Sequence, residues 1–180
     1  MFRLFLILFF LIWRVGVANA LSAELYDSWK NELKYMENKA IPYVWGASDY
    51  TKADCSGFVY ATAHKAGISV RRTTALEMYR GRDGWNAVDI PSTDLAKDLD
   101  IIWFTWPESK LRRPHGHVGL VYNSEDHNKF SVFHASSSAK HLIVQPYEGA
   151  LKSCTSGLRR LTEGDKPRIK AKSNDENKIK

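Results

Sequence analysis

Cys55 is the residue around which chemistry can be built. It stands in the run Asp54-Cys55-Ser56-Gly57-Phe58-Val59-Tyr60-Ala61. The stretch from Cys55 to Ala66 predicts a helix, because Phe58, Val59, Thr62, Ala63 and Ala66 fall along one apolar stripe. Asp54 suits the N-cap, and Gly67 suits the stop. A thiol at a helix N-terminus sits at the positive end of the macrodipole and is expected to lose its proton more easily. The thiolate is the nucleophile of covalent catalysis. The plainer reading is a small cysteine buried in the core.

Two downstream segments supply what a thiol nucleophile needs. His115-Gly116-His117-Val118-Gly119-Leu120-Val121-Tyr122 predicts a strand with His117 at its mouth. Lys129 to Ser136 predicts the next strand and carries His134. Asn123 to Asn128 between them is turn chemistry. A hairpin centred on Asp126 sets His117 opposite Ala135 and beside His134. A cysteine, a histidine and a second polar ring then make a nucleophile, a base and an orienter. His115 and His117 also lie two apart, so a strand would point both rings the same way. No carboxylate or cysteine at ligand spacing accompanies them, so no metal site is expected, and thiol catalysis needs no cofactor.

The elements that must hold these residues follow from periodicity. Ser22 to Asn38 predicts a helix with Leu25, Trp29, Leu33 and Met36 on one face. A turn at Ile41-Pro42 leads into Tyr43 and Trp45, and the Cys55 helix comes next. Thr74 to Tyr79 is a short helix or loop. Strands are expected at Ile101–Trp106, His117–Asn123, Phe130–Ala135, Leu142–Tyr147 and Gly157–Leu161. Helices first and strands afterwards predict an α+β fold, with the helices packed on an antiparallel sheet of about five strands.

Four blocks in order, Tyr43-Val44-Trp45-Gly46, Asp54 to Val59, His117 to Tyr122 and Phe133 to Ser136, resemble the NlpC family of bacterial cell-wall cysteine peptidases. The resemblance spans roughly Glu24 to Leu161 and implies a papain-like core. It implies that Cys55 is the nucleophile, His117 the base and His134 the orienting residue. It places Tyr43 beside the thiol and gives Asp54 and Ser56 a part in holding the substrate's amino end. Val70-Arg71-Arg72-Thr73-Thr74 resembles the family's arginine-containing loop, which adds Arg72 to the substrate-binding set. The implied substrate is a peptidoglycan stem peptide, cut at the γ-D-glutamyl bond to a diamino acid. The chain departs from the pattern at Ala47, where a second glycine is usual. It departs again at Lys97-Asp98-Leu99-Asp100-Ile101, where a Pro-Gly-Asp-Leu turn is usual. An amidase or acyltransferase on another substrate, or a silent wall-binding module, are the competing readings.

Length and charge fit one secreted enzyme domain. Arg3, the apolar run Leu4–Trp13 and Ala18-Asn19-Ala20 read as a signal peptide over residues 1–20, the run being short of the ~20 residues that span a bilayer. Arg14 leaves an uncleaved anchor as the alternative, but no stable membrane anchor is expected. Residues 21–163, the expected peptidase domain, hold eighteen basic and seventeen acidic side chains. That near-neutrality gives no reason to expect a nucleic-acid partner, and a monomer is expected. Residues 164–180 carry six Lys or Arg against three acids and no apolar period, so they read as a basic disordered tail. Location in the periplasm or cell envelope is expected. Cys154 reads as a bystander in a loop, because Cys55 must stay a free thiol.

Overall fold

The computed structural model describes residues 19–106, 114–126 and 129–163. The expected leader up to residue 18, the tail from 164 and the basic loop 107–113 lie outside the described residues. Helix α1 spans Ala23–Glu37, and the Ser22 side chain accepts from the Leu25 N–H at its start. Helix α2 spans Cys55–Lys65 behind the Asp54 cap. The short α3 spans Ala75–Tyr79 and is capped by Thr74. Among the described residues, seven strands follow in order as β1 Asn19–Ala20, β2 Ala87–Asp89, β3 Ile101–Phe104, β4 His117–Asp126, β5 Lys129–Ser136, β6 His141–Pro146 and β7 Thr155–Glu163. A last short helix, α4, spans Gly149–Ser153.

The strands form one antiparallel sheet in the order β1-β7-β3-β4-β5-β6, with β2 also on β7. The fold is therefore α+β, with N-terminal helices on an antiparallel sheet. The five expected strands are present, and β1 and β2 are short additions along β7. Each face of the sheet has its own core, as alternation along a strand requires. One face presents Val118, Leu120, Tyr122, Phe133, Ala135 and Leu142 to Trp29, Leu33 and Met36 of α1 and Phe58, Val59 and Ala63 of α2. Phe58 and Phe133 meet at 4.7 Å between ring centroids, which presses α2 onto β5. The other face presents Ile102, Phe104, Val121, Val132 and Leu158 to Leu151 of α4.

Polar ties set how the helices lie. Trp29 donates to Thr62 Oγ1 at 3.0 Å, joining α1 to α2 inside the core. Tyr122 donates to Glu37 at 2.6 Å and Tyr50 to Glu32 at 2.5 Å, fastening the outer side of α1. The unusual turn before β3 keeps its shape without a glycine. Leu99 adopts a φ of 71°, in the left-handed region that favours glycine. Its N–H is held by Val121 O at 3.0 Å and its side chain is buried, so packing offsets the backbone cost. Asp100 beside it accepts from the Lys97 N–H and from both Arg160 nitrogens, all at 2.8 Å.

Candidate active site

Cys55 begins α2, and its place is set by the loop in front of it. Asp54 Oδ1 accepts from the Gly57 N–H at 2.6 Å, which caps the helix. Asp54 N–H donates to Ala47 O at 2.9 Å, and Gly46 N–H donates to Asp54 Oδ2 at 2.8 Å. These bonds draw the Tyr43–Ala47 loop onto the helix start. The approach is close enough to require glycine at 57, since a Cβ there would lie 1.9 Å from Ala47 O. Ala47 fits its turn, with its N–H on Val44 O at 3.1 Å, so the departure at this position leaves the loop intact.

Asp54, Ser56 and Arg72 form one network. Arg72 Nη2 reaches both Asp54 oxygens at 2.9 and 2.8 Å, and Nη1 donates to Ser56 Oγ at 2.8 Å and to the Thr73 carbonyl. Ser56 Oγ donates to Asp54 Oδ1 at 3.0 Å. The Asp54 carboxylate thus receives four donor groups, which fills its roughly four lone-pair sites. Its charge is matched by Arg72 rather than left open to a ligand.

The histidines come together across the sheet, in a register different from the expected one. Leu120 faces Phe133 and Tyr122 faces Ser131, with an irregularity between Tyr122 and Asp126. The expected pairing of His117 with Ala135 is off by one residue, because the bulged end of the hairpin shifts the count. A slip of one would have put the two histidines on opposite faces. In the observed register both lie on the same face as diagonal neighbours. Gly119 sits across from His134, and a Cβ at Gly119 would lie 3.0 Å from the His134 Cβ. His117 Nε2 stands 2.9 Å from His134 Nδ1, with the rings nearly perpendicular at 83°.

Gln145 on β6 completes this row, and sequence reasoning missed it. Its Oε1 lies 2.8 Å from His134 Nε2. Gln145 pairs with Val132, and Ile143 pairs with His134, so the amide is again a diagonal neighbour. The signal was a polar residue at alternate spacing on the strand next to β5, readable only once the register parity is known.

His115 does not join the site. Its φ of 51° turns the chain just before β4. Its ring stacks on Tyr79 at 3.6 Å, and Nδ1 meets Ser156 Oγ at 2.9 Å. The expected same-side pair with His117 fails because His115 precedes the strand. Cys154 caps the end of α4, away from these residues, and both cysteines are free thiols.

A cavity of about 610 Å³ brings the parts together. Tyr43, Trp45, Asp54, Cys55, Ser56, Arg72 and His117 line it. A second cavity of about 560 Å³ is lined by His117, His134, Gln145 and Glu148. Trp106, His117 and Ser137 border both. The Val118 and Ser56 backbone amides lie near enough to the Cys55 sulfur to favour its thiolate, which sets the thiol near the start of β4.

Burial governs the charges here. The Cys55 thiol is pushed up to about 11, first by loss of water and then by the Asp54 carboxylate. The Val118 and Ser56 amides and Arg72 pull the other way but do not win. The expected ease of ionisation at the helix start is opposed in the resting molecule by burial, the largest influence on the thiol. His117 is pushed down to about 3, by burial and then by His134. Burial also lowers His134, against a raising bond from Gln145. Tyr43 is raised to about 12 by burial and by nearby Cys55 and Asp54. The resting pair is a neutral thiol and a neutral imidazole. Such a pair can attack a carbonyl if the thiol proton passes to the imidazole as the sulfur–carbon bond forms.

Among the described residues, no helix is long and apolar enough to cross a membrane, and no group of three or more metal-ligating side chains is present. No curated protein matches the chain. Solved structures do match it. An NLP/P60 family protein from Staphylococcus aureus, described as similar to a lipoprotein, shares 24% identity over 83% of this chain with a TM-score of 0.57. NlpC1 from Trichomonas vaginalis shares 22% identity over 78% with a TM-score of 0.57. An NlpC/P60 family protein from Bacillus cereus shares 21% identity over 81% with a TM-score of 0.56. The chain spans 45%, 45% and 42% of those three chains, so it corresponds to less than half of each, and at these identities the likeness is one of fold. The motif blocks, the helix-on-sheet architecture and the profile of the NlpC/P60 family, which matches residues 40–160, agree, and the chain belongs to that family.

Proposed function

We propose that this chain is a cysteine endopeptidase that hydrolyses peptidoglycan stem peptides at the γ-D-glutamyl bond to a diamino acid. The observation that carries the reading is the shared cavity, which Cys55 and His117 both line beside the Asp54–Ser56–Arg72 network. The peptide carbonyl docks over Cys55, with the acyl half of the substrate toward Tyr43, Ser56 and Arg72. His117 takes the thiol proton as the sulfur attacks. The Cys55 backbone N–H has no intrahelical acceptor, as at every helix start, and supports the developing oxyanion. His117 then returns the proton to the leaving amine, the C–N bond breaks, and a thioester remains. Water, deprotonated by His117, releases the acyl half and restores the thiol. The leaving diamino acid departs through the cavity beyond His117, where Glu148 is a charged wall.

Asp54 serves this reading indirectly. With its lone pairs filled from within, it fixes the helix start and aims Arg72, and Tyr43 and Ser56 are left to meet the substrate. Residues 21–163 form the peptidase domain, 1–20 an export signal and 164–180 a basic tail, so the enzyme acts in the cell envelope. Strand β1 falls inside that signal, and its pairing with Thr162 and Glu163 would be lost on cleavage after Ala20. N-terminal sequencing of the protein from the envelope fraction tests the export reading. Leu21 as the first residue supports it, and a retained Met1 in membranes overturns it. Product analysis on purified sacculi separates the endopeptidase from an amidase, since only the endopeptidase leaves the muramoyl-alanine bond whole.

A further inference from the structure

We propose that Gln145 is a positioning residue that sets which nitrogen of His117 acts as the base; this rests on the reading of Cys55 and His117 given above. Two hydrogen bonds link Gln145 to His117 through His134. The Gln145 Oε1 is a carbonyl oxygen and can only accept. At 2.8 Å from His134 Nε2, it requires that nitrogen to carry the proton. Neutral His134 then has a bare Nδ1. That Nδ1 lies 2.9 Å from His117 Nε2, which must therefore be the donor and carry its own proton. Neutral His117 is left with its lone pair on Nδ1. A single amide oxygen on β6 thereby fixes the tautomers of two rings in sequence.

The consequence is directional. The Cys55 S–H bond breaks and its proton moves to His117 Nδ1 as sulfur bonds to the acyl carbon. His117 becomes an imidazolium, with N–H groups at both nitrogens. Its Nε2–H bond to His134 becomes charge-assisted and stronger. The His134 Nε2–H to Gln145 bond polarises with it. No proton crosses from His117 to His134, and the same Nδ1 proton goes on to the leaving amine. Without Gln145, His134 is free to place its proton on Nδ1. Two N–H groups would then face each other across 2.9 Å, and His117 would turn away or change tautomer.

Long-range proton–nitrogen NMR on the full chain labelled at histidine nitrogens reads the tautomers directly and needs no substrate. The expected result is Nε2–H for both His117 and His134 in the wild-type protein, and a mixture at both in Gln145→Leu. Turnover of a stem peptide by Gln145→Leu should fall about fivefold to tenfold in kcat, as for one neutral hydrogen bond at the transition state, with KM little changed. Gln145→Glu keeps the acceptor and should retain the Nε2–H tautomers, with its activity profile shifted to higher pH because a carboxylate favours the imidazolium. A wild-type His117 carrying its proton on Nδ1 would overturn the proposal. So would Gln145→Leu with wild-type tautomers and rate. If turnover instead persists in Cys55→Ala, the catalytic reading fails, while the tautomer result still stands or falls by itself.

Discussion

Gly57→Ala tests how the nucleophile is placed, and its effect can be worked from distances. A Cβ at position 57 would lie 1.9 Å from Ala47 O, 2.9 Å from Ala47 C and 2.9 Å from Ser48 Cα. A carbon and a carbonyl oxygen settle near 3.3 Å or beyond, so the loop must retreat by more than about 1 Å. All three obstacles are backbone atoms, and no flexible side chain can yield. The retreat stretches the bond from Asp54 N–H to Ala47 O beyond its 2.9 Å. Overpacking costs about 1–3 kcal/mol and the lost bond about 1 kcal/mol. The better helix propensity of alanine returns up to about 1 kcal/mol. The net loss is about 1–4 kcal/mol, which lowers Tm by roughly 3–12 °C for a domain of this size. A misplacement near 1 Å in the reacting groups costs on the order of a hundredfold in rate. Calorimetry and turnover of a stem peptide measure both, with Gly46→Ala as the comparison. Gly46 has a φ of +79° but nothing within 4 Å of an added Cβ, so only a backbone cost of about 1–2 kcal/mol is expected. A Gly57→Ala protein with wild-type Tm and rate, or one milder than Gly46→Ala in both, would refute the reasoning.

Four further outcomes are predicted. His117→Ala should be nearly inactive, whereas His134→Gln should keep part of the rate because an amide can still accept one bond from the His117 ring; equal wild-type rates in both would break the pairing. Asp54→Ala should cost about 3–5 kcal/mol in a urea titration, since it strands the half-buried Arg72 charge and uncaps α2; a loss below about 1 kcal/mol would show the network to be dispensable. Acid should weaken the fold as the pH falls below the ordinary histidine range. His115, His117 and His134 are all lowered from an ordinary 6.5, so the unfolded chain binds their protons first, and stability is full above about pH 7 and falls as the pH drops from 6.5 toward 5. A flat urea midpoint between pH 7.5 and 5 would contradict those directions. Glu148→Gln should raise KM for a stem peptide with a free side-chain amine and leave Tm unchanged, and an unaltered KM would remove Glu148 from the leaving-side cavity.

How far the sequence could be read depended on which property was local. The caps at Ser22, Asp54 and Thr74 and the apolar stripe of α2 are short-range features, and the helices follow them closely. The strands carrying His117 and His134 also declared themselves by alternation and turn residues. Register did not, because the bulge between Tyr122 and Asp126 adds residues that no composition signal marks. That error concealed Gln145, whose role exists only through the pairing of three strands. The charge state of Cys55 was misjudged for a related reason. A helix start can be seen in sequence, whereas the burial that raises the thiol is a property of the folded molecule. Arg72 was named for its loop, yet its hold on both Asp54 oxygens from 18 residues along the chain is a tertiary fact. His115 shows the same limit, since one positive φ ahead of the strand sends its ring to Tyr79.

The most direct test is mass spectrometry of a defined stem tetrapeptide, L-alanyl-γ-D-glutamyl-diaminopimelyl-D-alanine, incubated with the wild-type protein, Cys55→Ala and Cys154→Ala. The account predicts an L-alanyl-D-glutamate product from the wild-type and Cys154→Ala proteins and none from Cys55→Ala. It also predicts a transient thioester on Cys55 when the wild-type reaction is quenched rapidly. Release of that product by Cys55→Ala at the wild-type rate, or an acyl adduct on any other residue, would contradict it.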